Sequence, residues 1–203
     1  MAKQQVASLQ ANEIAAVRKK LGSFELRQLQ FRDEFHRQDF FRFSCEDPYK
    51  TLDHIHHRIC AMEKYLEELS NWAALFEVPV SEFRGLKNCR RETIMIKQLW
   101  DYSYVIRSSV DNWKTTHWKE IDVERMEIEC KHFAKNIRGL DKEMRAWDAY
   151  IGLDASVRDL LTSLKVCFLK ETCFNLFYLI IDSISRLFLN YKILLYENVI
   201  GPN

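Results

Sequence analysis

The chain has 203 residues, 47% of them apolar and 29% charged, a globular composition that excludes general disorder and collagen-like or mucin-like sequence. Five Gly and three Pro are too few for the turns that a sandwich or barrel needs every 8 to 12 residues or so, which leaves long helices as the expected element. Lys plus Arg at 30 against Asp plus Glu at 29 gives a net charge of +1, so phosphate meets no broad attraction and nucleic acid is not an expected partner.

Ile14, Val17, Leu21, Phe24, Phe31 and Phe35 recur at 3-4 spacing with Gln28 in one polar slot, which predicts a first amphipathic helix. The stretch from Phe40 to Cys45 breaks it. Asp47-Pro48 then reads as an N-cap followed by Pro at the first helical position. A second helix follows, with Leu52, Ile55, Ile59, Met62, Leu66 and Leu69 on one stripe and Glu63, Lys64, Glu67 and Glu68 opposite. Six such side chains represent roughly 9 to 18 kcal/mol of gross burial, available only if a neighbouring helix covers the stripe.

Pro79 and Ser81 mark the next boundary, and a third helix is expected from near Ser81 with Ile96, Leu99, Ser103, Ile106, Val110 and Trp113 on its seam and Lys114 to His117 at its end. Asp122 is suited to cap a fourth, whose stripe of Met126, Cys130, Phe133, Ile137, Leu140, Met144 and Trp147 stops at Gly152. Asp154 then caps a fifth through Val157, Leu161 and Leu164. The expected fold is all-α: one or more elongated antiparallel helical bundles followed by an apolar C-terminal tail.

That tail is set apart by composition. Residues 166–203 hold three basic and three acidic side chains, against 27 and 26 in the preceding 165, and about 23 of the 38 are apolar. Within it, residues 173–189 form an apolar run around Asp182 and Arg186. Ten Leu, Ile or Phe side chains return about 3 to 6 kcal/mol on membrane insertion while those two charges cost about 5 to 7, so a spanning helix is disfavoured and an exposed, poorly soluble tail is the expectation.

Candidate chemistry is sparse. No Gly-rich loop leads into Lys-Ser or Lys-Thr, so ATP binding by a phosphate-cradling loop is not expected. Asp53, His54, His56, His57 and Cys60 are metal-ligand types, and His56 and Cys60 share a helical face at i, i+4. A closed zinc site needs four ligands, and no second pair stands at metal spacing, so a helix surface is the better reading. Trp72, Trp100, Trp113, Trp118 and Trp147 read as helix-helix core rather than a stacking platform. Cys45, Cys60, Cys89, Cys130, Cys167 and Cys173 contain no Cys-x-x-Cys pair and read as reduced thiols. Lys3, Glu13, Arg18, Lys19, Lys20 and Glu25, with no apolar h-region among them, point to a cytoplasmic start rather than a secretory signal or anchor. No catalytic, cofactor-binding or metal-ligating residue is assigned.

Two runs carry more specific information: LWDYSYVIRSSVDNWKTTHWKEI at 99–121 and CKHFAKNIRGLDKEMRAWDAYIGLD at 130–154. They resemble the start of the linker region of axonemal dynein heavy chains, most like the outer-arm beta type. Phe41-Arg42-Phe43, Asp47-Pro48-Tyr49, Leu75-Phe76-Glu77 and Cys89-Arg90-Arg91-Glu92 resemble the end of the tail of those chains, so the likeness spans residues 6–164. The resemblance implies three divisions: 1–95 tail-like, 96–165 linker start and 166–203 divergent. It implies no motor activity in this chain, because the family's ATPase ring lies beyond the resembled part. It also implies a mechanical and subunit-interaction role in microtubule-based ciliary movement, located in the cytoplasm and axoneme. Intermediate chains, light chains and neighbouring heavy chains are the implied partners, with microtubules met only indirectly. The change of text after Leu164 reads as a truncated product whose last residues come from splicing or read-through. The alternatives are a generic spectrin-like scaffold, which the absence of an internal repeat disfavours, and a small membrane-anchored helical protein, which rests wholly on the tail.

Overall fold

The computed structural model describes residues 2–117 and 120–169, with side chains described over 7–117 and 120–165. Five helices account for most of them: α1 (Ala2–Phe35), α2 (Pro48–Leu75), α3 (Arg84–Thr115), α4 (Val123–Arg138) and α5 (Asp148–Leu169), with short 3-10 turns at Asp39–Phe41 and Lys142–Ala146. No strand occurs among the described residues. The chain divides into two compact units, one made of residues 1–40 and 47–94, the other of 41–46 and 95 onward.

In the first unit, α1 and α2 run antiparallel. Phe24 meets Tyr65 at 5.9 Å between ring centroids and Lys20 lies 4.0 Å over Trp72, while Glu34 pairs with Arg58 at 2.7 Å, so contact positions rise on one helix as they fall on the other. The first residues of α3 run parallel to α1, since Phe24 packs edge-on against Phe83 at 4.9 Å and His36 reaches Glu92 at 2.9 Å. Up, down and up is the three-helix arrangement that short connections produce. The buried stripes are the apolar ones: Val17, Phe24, Phe31 and Phe35 from α1, and Leu52, Ile55, Ile59, Met62 and Leu69 from α2.

Local chemistry sets the ends of α2. The Asp47 carboxylate accepts the N–H of Lys50 at 3.3 Å and Pro48 occupies the first turn, where its missing donor costs nothing. At the other end Val78 N–H donates to Ala73 O at 2.9 Å and Glu77 N–H to Ala74 O at 3.3 Å, a Schellman ending with Glu77 at the left-handed position, φ 54°. Val78 and Ala73 are then buried together against Val17.

The second unit is built on the remainder of α3. Every expected seam residue is buried, from Ile96 and Leu99 through Ser103 and Ile106 to Val110 and Trp113. Ser103 is the exception in chemistry, its Oγ buried with no hydrogen-bond partner. α4 returns antiparallel to α3, with Ser109 Oγ donating to Glu129 Oε1 at 2.7 Å, and Asp122 caps it by accepting Arg125 N–H at 3.0 Å. α5 then lies antiparallel on α4, and Tyr150 OH donates to Ile137 O at 3.3 Å.

Four expectations need correction. The fourth helix does not continue to Gly152: it ends at Arg138, with Gly139 N–H bonded back to Lys135 and Asn136. Met144 is nevertheless buried, in a 3-10 turn capped by Asp141, whose period of three residues puts positions three apart on one side. Consequently Gly152 lies inside α5 and Asp154 is not its cap but a partner of Arg158 one turn on. The third helix begins at Arg84 rather than near Ser81. Trp72 is not core either, being 49% exposed with Lys20 of α1 placed over its ring, whereas Trp100 and Trp113 are buried. Trp118 and the tail run 173–189 lie outside the described residues, and among the described residues no helix is long and apolar enough to cross a membrane.

Candidate functional site

Two places gather the residues that the sequence singles out. The first is on the α2 face turned toward the start of α3. His56 and Cys60, one helical turn apart, stand with Nε2 and Sγ 3.6 Å from each other. Arg90 of α3 reaches both: its Nη2 is 3.2 Å from Cys60 Sγ and its Nη1 2.8 Å from His56 Nδ1. Glu63 holds the guanidinium from the other side, Arg90 Nε donating to Oε1 at 3.0 Å and Nη2 to Oε2. This hydrogen-bonded pairing with Glu63 raises the Arg90 pKa still further above its ordinary value, so it is a permanent cation.

The neighbouring residues of metal-ligand type are not drawn in. His57 turns back along its own helix, Nδ1 lying 2.8 Å from Asp53 O, and Asp53 stays with it. Among the described residues no group of three or more His, Cys, Asp or Glu side chains is placed to hold a metal ion. Arg90 and Glu63 were not legible as members, because they come from positions 30 and 3 residues away from Cys60 and only the α2–α3 packing unites them.

The second place is the Trp-Asp-Ala-Tyr-x-Gly-Leu-Asp run of the second unit. Asp148 Oδ2 accepts the backbone N–H of Phe43 at 2.9 Å, and Trp147 meets Phe41 edge-on at 5.0 Å. Phe43 lies directly over Gly152, in the space a β-carbon would take. Phe41-Arg42-Phe43 and the 147–154 run, noted separately in the sequence, are thus one packing unit.

Surface cavities are shallow in chemistry. One of about 310 Å³ is lined by Lys131, Ala134, Lys135, Arg138 and Leu161. Another of about 260 Å³ is lined by Arg27, Gln30, Phe31, Glu34, Arg58, Ala61 and Met62. Neither sets a nucleophile beside a base. The buried thiols are unreactive in kind: burial, with Glu92 second, pushes Cys89 up to about 11, and burial, with Glu129 and Glu127, pushes Cys130 up to about 12.

Comparison with known proteins agrees with the buried runs. The family profile for dynein heavy chain, N-terminal region 2, matches residues 86–171, which takes in α3, α4 and α5 and extends seven residues past Leu164, where the resemblance was expected to stop. The ciliary dynein beta chain of Tripneustes gratilla is 53% identical over 163 residues, 80% of this chain and 4% of the relative. The chain belongs to the axonemal dynein heavy chain family. Human dynein axonemal heavy chain 17 is 50% identical over 160 residues, and the flagellar outer-arm alpha chain of Chlamydomonas reinhardtii 27% over 169 residues; these cover 79% and 81% of this chain and 4% of each relative. The 53% identity to ciliary beta chains agrees with the beta-type resemblance of the two runs. Because the chain spans about 4% of the length of these dyneins, what it shares with them is a stretch of their N-terminal region.

Proposed function

We propose that this chain is a mechanical and subunit-interaction element of the axonemal dynein tail-linker junction, serving microtubule-based movement of cilia and flagella without hydrolysing ATP itself. The observation that carries the reading is 53% identity to a ciliary dynein beta chain over 80% of the chain. The architecture suits such a role, being built of long helices, α3 alone having 32 residues. Residues 1–95 would act as the end of the tail and 96–165 as the beginning of the linker. Intermediate chains, light chains and neighbouring heavy chains are the proposed partners, contacted through exposed helix surface, and the proposed location is the axoneme.

The test is expression of the tagged full chain in ciliated cells. The reading expects the tag in the axoneme and dynein intermediate or heavy chains recovered with it at stoichiometric levels. Diffuse distribution with no dynein subunit recovered would overturn it, as would ATP turnover that follows the purified chain through gel filtration.

A further inference from the structure

We infer that the cavity between α4 and α5 is a docking surface for an acidic peptide segment of a partner protein. Packing explains only half of the run at 131–138. Phe133, Ala134 and Ile137 are buried, while Lys131, Lys135 and Arg138, at i, i+4 and i+7, share one exposed face over about 10 Å of helix rise. With Ala134 and the half-buried Leu161 of α5 they line a cavity of about 310 Å³, so its exposed lining is cationic and its covered lining apolar. Residues 130–140 hold no Asp or Glu, in a chain that otherwise balances 30 basic residues with 29 acidic ones.

The charges around it are unevenly matched. Lys131 is paired with Glu127 at 2.9 Å, and Arg158 of α5 with Asp154. Among the described residues no carboxylate pairs with Lys135 or Arg138, and Arg145 adds a further cation at the same helix end, its Nη2 donating to Arg138 O at 3.3 Å. The negative end of α4 lets these cations stand there, and their head groups keep donors for a partner. Other cavities answer their own charge. In one, Glu34 meets Arg58 at 2.7 Å, and in another, of about 220 Å³ at the α3–α4 turn, Glu120, Asp122 and Glu129 outnumber Arg125. The complement of the α4–α5 cavity is therefore a short segment with carboxylates on either side of an apolar residue, the acids for Lys135 and Arg138 and the apolar side chain for Ala134 and Leu161. This gives one contact of the proposed function its chemistry, and rests on that reading only for which subunit supplies the segment.

The full chain is titrated with a fluorescein-labelled Glu-Glu-Leu-Glu-Glu peptide, and binding is read by fluorescence anisotropy at low salt, where such contacts are least screened. Binding is expected to weaken as salt rises and to vanish with the Gln-Gln-Leu-Gln-Gln peptide. Lys135→Gln combined with Arg138→Gln is expected to weaken it about tenfold, the loss of two ion pairs at up to roughly fivefold each. Both positions are exposed and Gln keeps the helix propensity, so circular dichroism should not change; if it does, Lys135→Gln alone is read. Lys19→Gln combined with Lys87→Gln makes the same change in net charge on α1 and at the start of α3, and is expected to leave the affinity as it was. No anisotropy change by about 1 mM peptide, equal binding of the Gln peptide, or equal weakening by the two double variants would overturn the inference. So would binding to phosphatidylserine vesicles that depends on Lys135 and Arg138 while the peptide does not bind, which would assign the face to a membrane surface. Recovery of dynein subunits with the tagged chain is a separate measurement, so the two readings fail separately.

Discussion

Gln28 Oε1 accepts the backbone N–H of Leu86 at 3.2 Å, so a side chain of α1 caps the first turn of a helix that begins 56 positions later in the chain. Leu86 is the third residue of α3, where no carbonyl of its own helix is available, and Gln28 itself is only 8% exposed. Gly85 makes room for the contact, since a β-carbon there would stand 2.8 Å from the same oxygen.

Gln28→Leu keeps the volume of the side chain and removes the acceptor. The unpaired N–H should then cost about 1 to 3 kcal/mol, read as a fall in the urea midpoint with unchanged slope. Unaltered stability would mean that water replaces the amide without loss.

Two glycines should respond in opposite directions to the same substitution. Gly22 sits exposed in α1 with nothing within 4 Å of a built β-carbon, so Gly22→Ala should stabilise by about 0.5 to 1 kcal/mol through helix propensity. Gly152 is also helical, but its β-carbon would occupy the place of the Phe43 ring, and Gly152→Ala should destabilise by about 1 to 3 kcal/mol. Thermal melts of the two variants beside the parent chain give the comparison.

Glu77→Gly should stabilise by about 1 kcal/mol, because the residue is held at φ 54° by the Schellman bonds and a β-carbon is strained there. Glu77→Ala, which keeps the β-carbon, should give no such gain. Denaturant midpoints of the pair separate backbone relief from loss of the carboxylate.

Alkaline stability should follow the buried thiols. Cys89 and Cys130 ionise from 9.0 upward when free of their surroundings, whereas in the folded chain burial holds their protons to about 11 and about 12. Between those limits the unfolded chain has released protons that the native one keeps, so their contribution is complete below pH 9 and is lost as pH rises above it. Urea midpoints from pH 8 to pH 11 should fall more steeply for the parent chain than for Cys130→Val, which cannot ionise. Parallel curves would count against a buried, protonated Cys130.

The long stripes were readable because burial repeats with the helix period. Ile96 to Trp113 on α3 is all core as expected, and Asp47-Pro48 and Asp122 mark helix starts by chemistry that acts within three residues. The end of α4 was not readable from the stripe, since Leu140 and Met144 stay buried after the helix has stopped; Gly139 followed by Asp141 was the available signal. Trp72 misled for a simpler reason, that side-chain size does not say which face of a helix is covered. At the candidate site, His56 and Cys60 could be paired by spacing, while Arg90 enters only through the packing of α3 on α2.

Phe43 filling the space over Gly152 ties together two positions more than a hundred residues apart in the chain. Neither can change alone without either a collision or a void, so natural variation at the two should be correlated across the dynein heavy chains: lineages with a side chain at the position of Gly152 should carry something smaller than an aromatic ring at that of Phe43. On that expectation a substitution at one of the two positions is tolerated only when the other changes with it.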